Sequence, residues 1–122
     1  MSDDPPLSTP EDQPTLMHNL EAILQERLDD PYFNNAVAAH QLGISTRSLY
    51  RAVKAASGMS PNQYFRRYRI ERADELLRSG RYRTVKEVAM RVGFQKVSYF
   101  SDQFERLKGV RPSELLRARN KL

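Results

Sequence analysis

The chain reads as all-α: seven helices forming two helix-turn-helix subdomains joined by a long linker helix. Three observations predict this. Apolar residues recur three and four positions apart through almost every stretch after residue 14, the spacing that lines one face of a helix. Ser, Thr, Asn and Pro stand where these stretches begin and Gly where they end, which is helix start and stop chemistry. One pattern, helix, Gly turn, helix, Gly and Pro-started helix, is also written twice. Ala38-Ala39 and Leu42-Gly43-Ile44 match Val88-Ala89 and Val92-Gly93-Phe94 at an offset of 50 residues. Leu49, Val53, Gly58, Pro61 and Phe65-Arg66 match Phe100, Phe104, Gly109, Pro112 and Leu116-Arg117 at 51, so one residue has been added in the turn.

Residues 1–14 carry Pro5, Pro6, Pro10 and Pro14 among acids and read as a disordered tail or a linker remnant. Residues 15–59 form the first subdomain. Its first helix runs from Thr15 through Leu16, Leu20, Ile23, Leu24 and Leu28 and stops before Asp29-Asp30-Pro31, after which Tyr32 and Phe33 turn into the core. Asn34 or Asn35 caps a second helix carrying Val37, Ala38, Ala39 and Leu42, and Gly43 closes it. Ser45 caps a third, with Leu49 and Val53 inward and Thr46, Arg47, Ser48, Arg51 and Lys54 outward; Tyr50 suits either side.

Residues 60–80 form the linker helix. Ser60-Pro61-Asn62-Gln63 supplies an N-cap, a Pro at the first helical position and a capping-box Gln. About 19 residues at about 1.5 Å each span on the order of 28 Å. Successive major grooves on one face of B-DNA are about 34 Å apart, so such a rod would let one helix of each subdomain enter each groove. Phe65, Tyr68, Ala73, Leu76 and Leu77 are its apolar positions. Arg66, Arg67, Arg69 and Arg72 read as a solvated face partnered by Glu71, Asp74 and Glu75, with Arg66 and Arg67 as candidate phosphate contacts.

Residues 81–122 form the second subdomain, entered through Arg81, Arg83 and Lys86. Thr84 and Glu87 have the spacing of a reciprocal capping box. Val85, Val88, Ala89 and Val92 make the apolar face of the helix they open, and Gly93 supplies the positive φ of the turn. Val97, Phe100, Phe104 and Leu107 continue at helical spacing, and Lys96, Val97, Ser98, Ser101 and Asp102 form the outward side. Pro112 starts the last helix with Leu115 and Leu116 inward, but Arg111 stands where Ser60 caps the earlier copy, so this helix is expected to be the less well capped.

Composition excludes several classes of function. Hydrophobic content of 39% and charged content of 29% suit a globular protein, and no run approaches the roughly 18 apolar residues of a membrane span. The opening residues lack a basic and then apolar leader, which places the protein in the cytoplasm as an expectation. There is no Cys, hence no disulfide, thiolate metal site or thiol nucleophile. His18 and His40 sit on separate helices without metal spacing, and neither a phosphate-cradling Gly loop nor a nucleophile with its base is present. No enzyme activity, metal or cofactor is expected. Charge points to a polyanionic partner instead: from Gln13 onward 20 bases face 11 acids, a net of +9 on 110 residues.

The motif Gly93-Phe94, Tyr99-Phe100-Ser101, Phe104, Gly109 and Pro112 resembles the signature of the AraC/XylS family of bacterial transcription regulators. Leu49-Tyr50-Arg51, Lys54, Gly58 and Ser60-Pro61 resemble the first half of the same domain, and Arg69-Ile70, Ala73 and Leu76-Leu77 its linker helix. The resemblance covers about Leu16 to Arg119. It implies binding of double-stranded DNA at promoters, usually with activation and contact with RNA polymerase. Arg47, Tyr50 and Arg51 match DNA-touching positions of the family, with Thr46, Ser48 and Lys54 beside them. Two departures are Asp102, where the family typically has Arg, and Arg111, which replaces a small cap. Most members carry a further domain that senses an effector or dimerises. The Pro-rich start therefore suggests the output domain of a longer regulator, monomeric alone and dimeric in full, and Asp30-Pro31, Phe33 and Leu49-Tyr50-Arg51 resemble output domains of response regulators.

Arg47 and Arg51, four apart, share a helix face, and an Arg pairing with guanine O6 and N7 contributes about 1 to 3 kcal/mol of discrimination. In the second reading helix Val97 suits a thymine methyl and Ser98 either kind of base edge, while Asp102 repels phosphates unless it meets a cytosine amine or an Arg. The first helix is thus expected to carry most base specificity and the second mainly to position. Gln95, Lys96 and Ser113, at helix starts, are candidate phosphate ligands through their free backbone amides. The competing reading is a helical protein-interaction module with incidental DNA affinity, separated from the first by its weak salt dependence.

Overall fold

The computed structural model describes residues 12–120. Seven helices occur among them in the order α1 (Asp12–Glu26), α2 (Asn35–Leu42), α3 (Thr46–Ser57), α4 (Pro61–Ser79), α5 (Val85–Arg91), α6 (Val97–Lys108) and α7 (Pro112–Asn120). No strand occurs among the described residues. The expected tail lies outside them up to residue 11. The helix start expected at Thr15 moves to Asp12, because Pro14 falls in the first turn, where its missing N–H would have no intrahelical partner.

Two compact units divide the chain: residues 12–27 with 33–66, and residues 28–32 with 67–120. The continuous helix α4 contributes its first turns to one and the remainder to the other. In the first unit α1, α2 and α3 pack on one another. Leu16, Leu20 and Leu24 of α1 are buried together with Ala38 and Ala39 of α2 and Leu49, Ala52 and Val53 of α3, and Phe33 lies against Phe65 with ring centroids 5.2 Å apart. Tyr32 does not turn inward as expected: it is 74% exposed. Its backbone N–H donates to the Asp30 carboxylate at 2.9 Å, which turns the chain so that Phe33 alone enters the core.

The second unit buries Ile70, Ala73 and Leu77 of α4 with Val88, Ala89, Val92, Phe94, Phe100, Phe104 and Leu116. Phe94, Phe100 and Phe104 form a tilted aromatic series at centroid spacings of 5.2 and 5.8 Å. Leu107, expected on this stripe, is exposed instead. Arg69 is the larger correction. Expected on a solvated face, it is only 8% exposed, and its guanidinium donates to the carbonyls of Leu28 at 2.9 Å, Val92 at 2.7 Å and Asp30 at 3.0 Å. Burial pushes the Arg69 guanidinium below its ordinary value, with Asp30 and Asp29 pulling the other way.

The boundaries carry the expected chemistry. Asn34, not Asn35, caps α2 by accepting from the Val37 N–H at 3.0 Å. Ser60 and Gln63 bond reciprocally at the start of α4, as Thr84 and Glu87 do at α5. Gly43 and Gly93 take φ of 72° and 85° in the two turns. At Arg111 the side chain leaves the cap and reaches Glu105 at 3.4 Å. The helix starts repeat the sequence offsets: Asn35 to Val85 is 50 residues and Thr46 to Val97 is 51.

Candidate nucleic-acid interface

In α3, Leu49, Ala52 and Val53 are buried, so the opposite face is fixed outward by their packing. One residue advances about 100° around a helix, and positions 47, 50, 51 and 54 therefore fall within a single strip. Arg47, Tyr50, Arg51 and Lys54 are all exposed. Tyr50, open between core and face in the sequence, is 49% exposed and belongs to the face. Thr46 is exposed at the first position. Ser48 is half-buried and turned to the cap: its N–H donates to the Ser45 hydroxyl oxygen at 3.1 Å. Lys54 donates to the Gly58 carbonyl at 3.0 Å, which holds its ammonium at the C-terminal end of the strip. Arg47 and Arg51 make no ion pair or side-chain hydrogen bond among the described residues.

Helix α6 offers a different surface. Lys96, Ser98 and Asp102 are exposed as expected, and Gln95 precedes them in the turn. Two expected members are not free. Val97 is half-buried against the second core, and Ser101 is only 7% exposed. The reason is phase: from Val97, positions 101, 104 and 108 fall along one line of the helix, and Phe104 fixes that line inward. Tyr99, part of the family signature but not among the candidate contacts, and Arg106, absent from both, are exposed. Tyr99 was hidden by the Phe-rich motif around it. Its ring centroid lies 6.0 Å from that of Phe94, yet the side chain is 47% exposed. Arg106 is signalled only by standing one turn beyond Asp102.

Among candidate phosphate ligands, Arg67 and Ser113 are exposed, and Arg66 is half-buried with an interaction of its own. Several other cations are already committed within the second unit. Arg72 pairs with Glu75 at 2.8 Å and lies 5.5 Å from the Tyr68 ring, and the hydrogen bond it donates to the Tyr68 hydroxyl, then the one it donates to Glu75, raises its pKa. Arg78 pairs with Asp74 at 2.8 Å, and Lys108 meets Glu71 at 2.7 Å and Asp74 at 3.5 Å. The bond that Lys108 donates to Glu71 raises the Lys108 pKa. Open basic side chains occur in both units: Arg47 and Arg51 lie on the α3 strip, and Arg81, Arg83, Lys86, Arg91, Lys96 and Arg106 are exposed in the second unit. No helix among the described residues is long and apolar enough to cross a membrane, and no three His, Asp or Glu side chains among them converge as a metal site.

A family model described as a helix-turn-helix domain matches residues 38–118. The chain is similar to the HTH-type transcriptional activator RhaR of Salmonella heidelberg (strain SL476), 35% identical over 113 residues that cover 93% of this chain and 38% of that protein. The chain spans well under half the length of the curated relatives it matches. Among solved structures it resembles the C-terminal domain of AraT, a response regulator from Geobacillus stearothermophilus. That match has a TM-score of 0.76 at 29% identity and covers 85% of each chain. It also resembles the DNA-binding domain of AdpA, a global transcriptional factor, solved with a target DNA. There the TM-score is 0.76 at 27% identity, over 86% of this chain and 93% of that one.

Proposed function

Because the chain belongs to the AraC/XylS family of helix-turn-helix regulators, as a DNA-binding domain, we propose that it binds double-stranded DNA sequence-specifically and so regulates transcription, by activation. The observation that carries this reading is the α3 strip, where Arg47, Tyr50, Arg51 and Lys54 share one exposed face of the second helix of a helix-turn-helix. A guanidinium there can donate two bonds to guanine O6 and N7, and the Tyr50 ring can lie against sugar or base. α3 and α6 enter successive major grooves, with Gln95, Lys96, Arg66, Arg67 and Ser113 at the phosphates. The repeated unit supports a bipartite site.

The RhaR relative is an activator by name, and the AraT neighbour is the C-terminal domain of a response regulator. On that basis this domain acts as the output part of a longer regulator, working beside RNA polymerase in the cytoplasm without catalysis. The domain alone is a monomer. Selection of bound duplexes from a random DNA pool tests the reading. It should enrich one site with two segments about one helical turn apart. A pool that stays random through repeated rounds contradicts it and favours a protein-interaction module.

A further inference from the structure

At the offset of 51 residues, Arg47, Arg51 and Lys54 of α3 stand over Ser98, Asp102 and Glu105 of α6. Three positions that carry hydrogen-bond donors and positive charge in one copy carry a hydroxyl and two carboxylates in the other. The two acids are not equivalent. Glu105 is engaged by the Arg111 guanidinium at 3.4 Å. Asp102 is exposed and makes no ion pair or side-chain hydrogen bond among the described residues.

A bare carboxylate on a groove-facing helix is repelled by phosphates unless it finds a donor. In the major groove the donors are the exocyclic amines of cytosine and adenine. Adenine places the N7 acceptor beside its amine, which opposes a carboxylate, whereas cytosine presents its N4 amine alone. Arg106, exposed one turn beyond, reduces the local negative field. We infer that Asp102 is a specificity-determining residue of the second unit, accepting a hydrogen bond from the N4 amine of one cytosine. This rests on the DNA-binding reading above. It gives the two halves opposite codes: α3 donates to guanine acceptors, and α6 accepts from a base amine.

The test compares pool selections made with the unaltered chain, Asp102→Ala and Asp102→Asn. The unaltered chain should prefer cytosine about tenfold at one position of the α6 half-site. Asp102→Ala should flatten that position alone, and Asp102→Asn should move it to adenine, since an Asn pairs with N6 and N7 together. Identical preferences in all three selections overturn the inference. So does uniformly tighter binding by Asp102→Ala with preferences unchanged, which makes Asp102 only a repulsive charge. Failure of the DNA reading itself is seen separately, as no enriched site with the unaltered chain.

Discussion

A Cβ at Gly93 would run into the Arg69 guanidinium and come within 2.6 Å of the Leu28 carbonyl oxygen, whereas one at Gly43 would meet nothing within 4 Å. Both glycines hold the left-handed φ of a helix-turn-helix turn, and both lie at matched positions of the repeat. Gly43→Ala therefore costs only backbone strain, about 1 kcal/mol. Gly93→Ala adds a collision with buried groups, and its loss should reach about 2 to 4 kcal/mol. Chemical unfolding of the two variants checks this difference; equal losses would mean that Arg69 yields without cost. The sequence makes both glycines visible as turn residues. It does not distinguish them, because the distinction lies in an arginine 24 positions away in the chain.

At the scale of elements, the helix boundaries were legible because capping is local chemistry: Ser45, Ser60 with Gln63, and Thr84 with Glu87 each act over three residues. The outward face of α3 was legible for a similar reason, since Leu49 and Val53 fix its phase. Helix α6 was harder. Ser101 is polar yet lies in line with Phe104, and pattern reading assigned it by chemistry rather than by phase. Arg69 was beyond local reading, because its acceptors lie 41, 23 and 39 residues away in sequence. It ties α4 to the Leu28–Asp30 segment and to the C-terminal end of α5. Arg69→Met should leave three carbonyls without their donor and cost about 2 to 4 kcal/mol, read as a lower urea midpoint. A loss under about 0.5 kcal/mol would show that water replaces the guanidinium at those oxygens.

For the whole molecule, the repeat told more than any single helix. Its offsets of 50 and 51 residues reappear in the helix starts, and the matched glycines and prolines fall at matching boundaries. The same comparison separates the two outward helices by charge, and on the proposed reading the recognition of guanine falls to α3. The most direct measurement of that claim is the affinity of Arg51→Ala for the selected duplex and for a scrambled one of equal length. A specific contact predicts a loss of about tenfold or more on the selected duplex and about twofold or less on the scrambled one. Equal losses on both would make Arg51 a phosphate contact and contradict the assignment of guanine reading to α3.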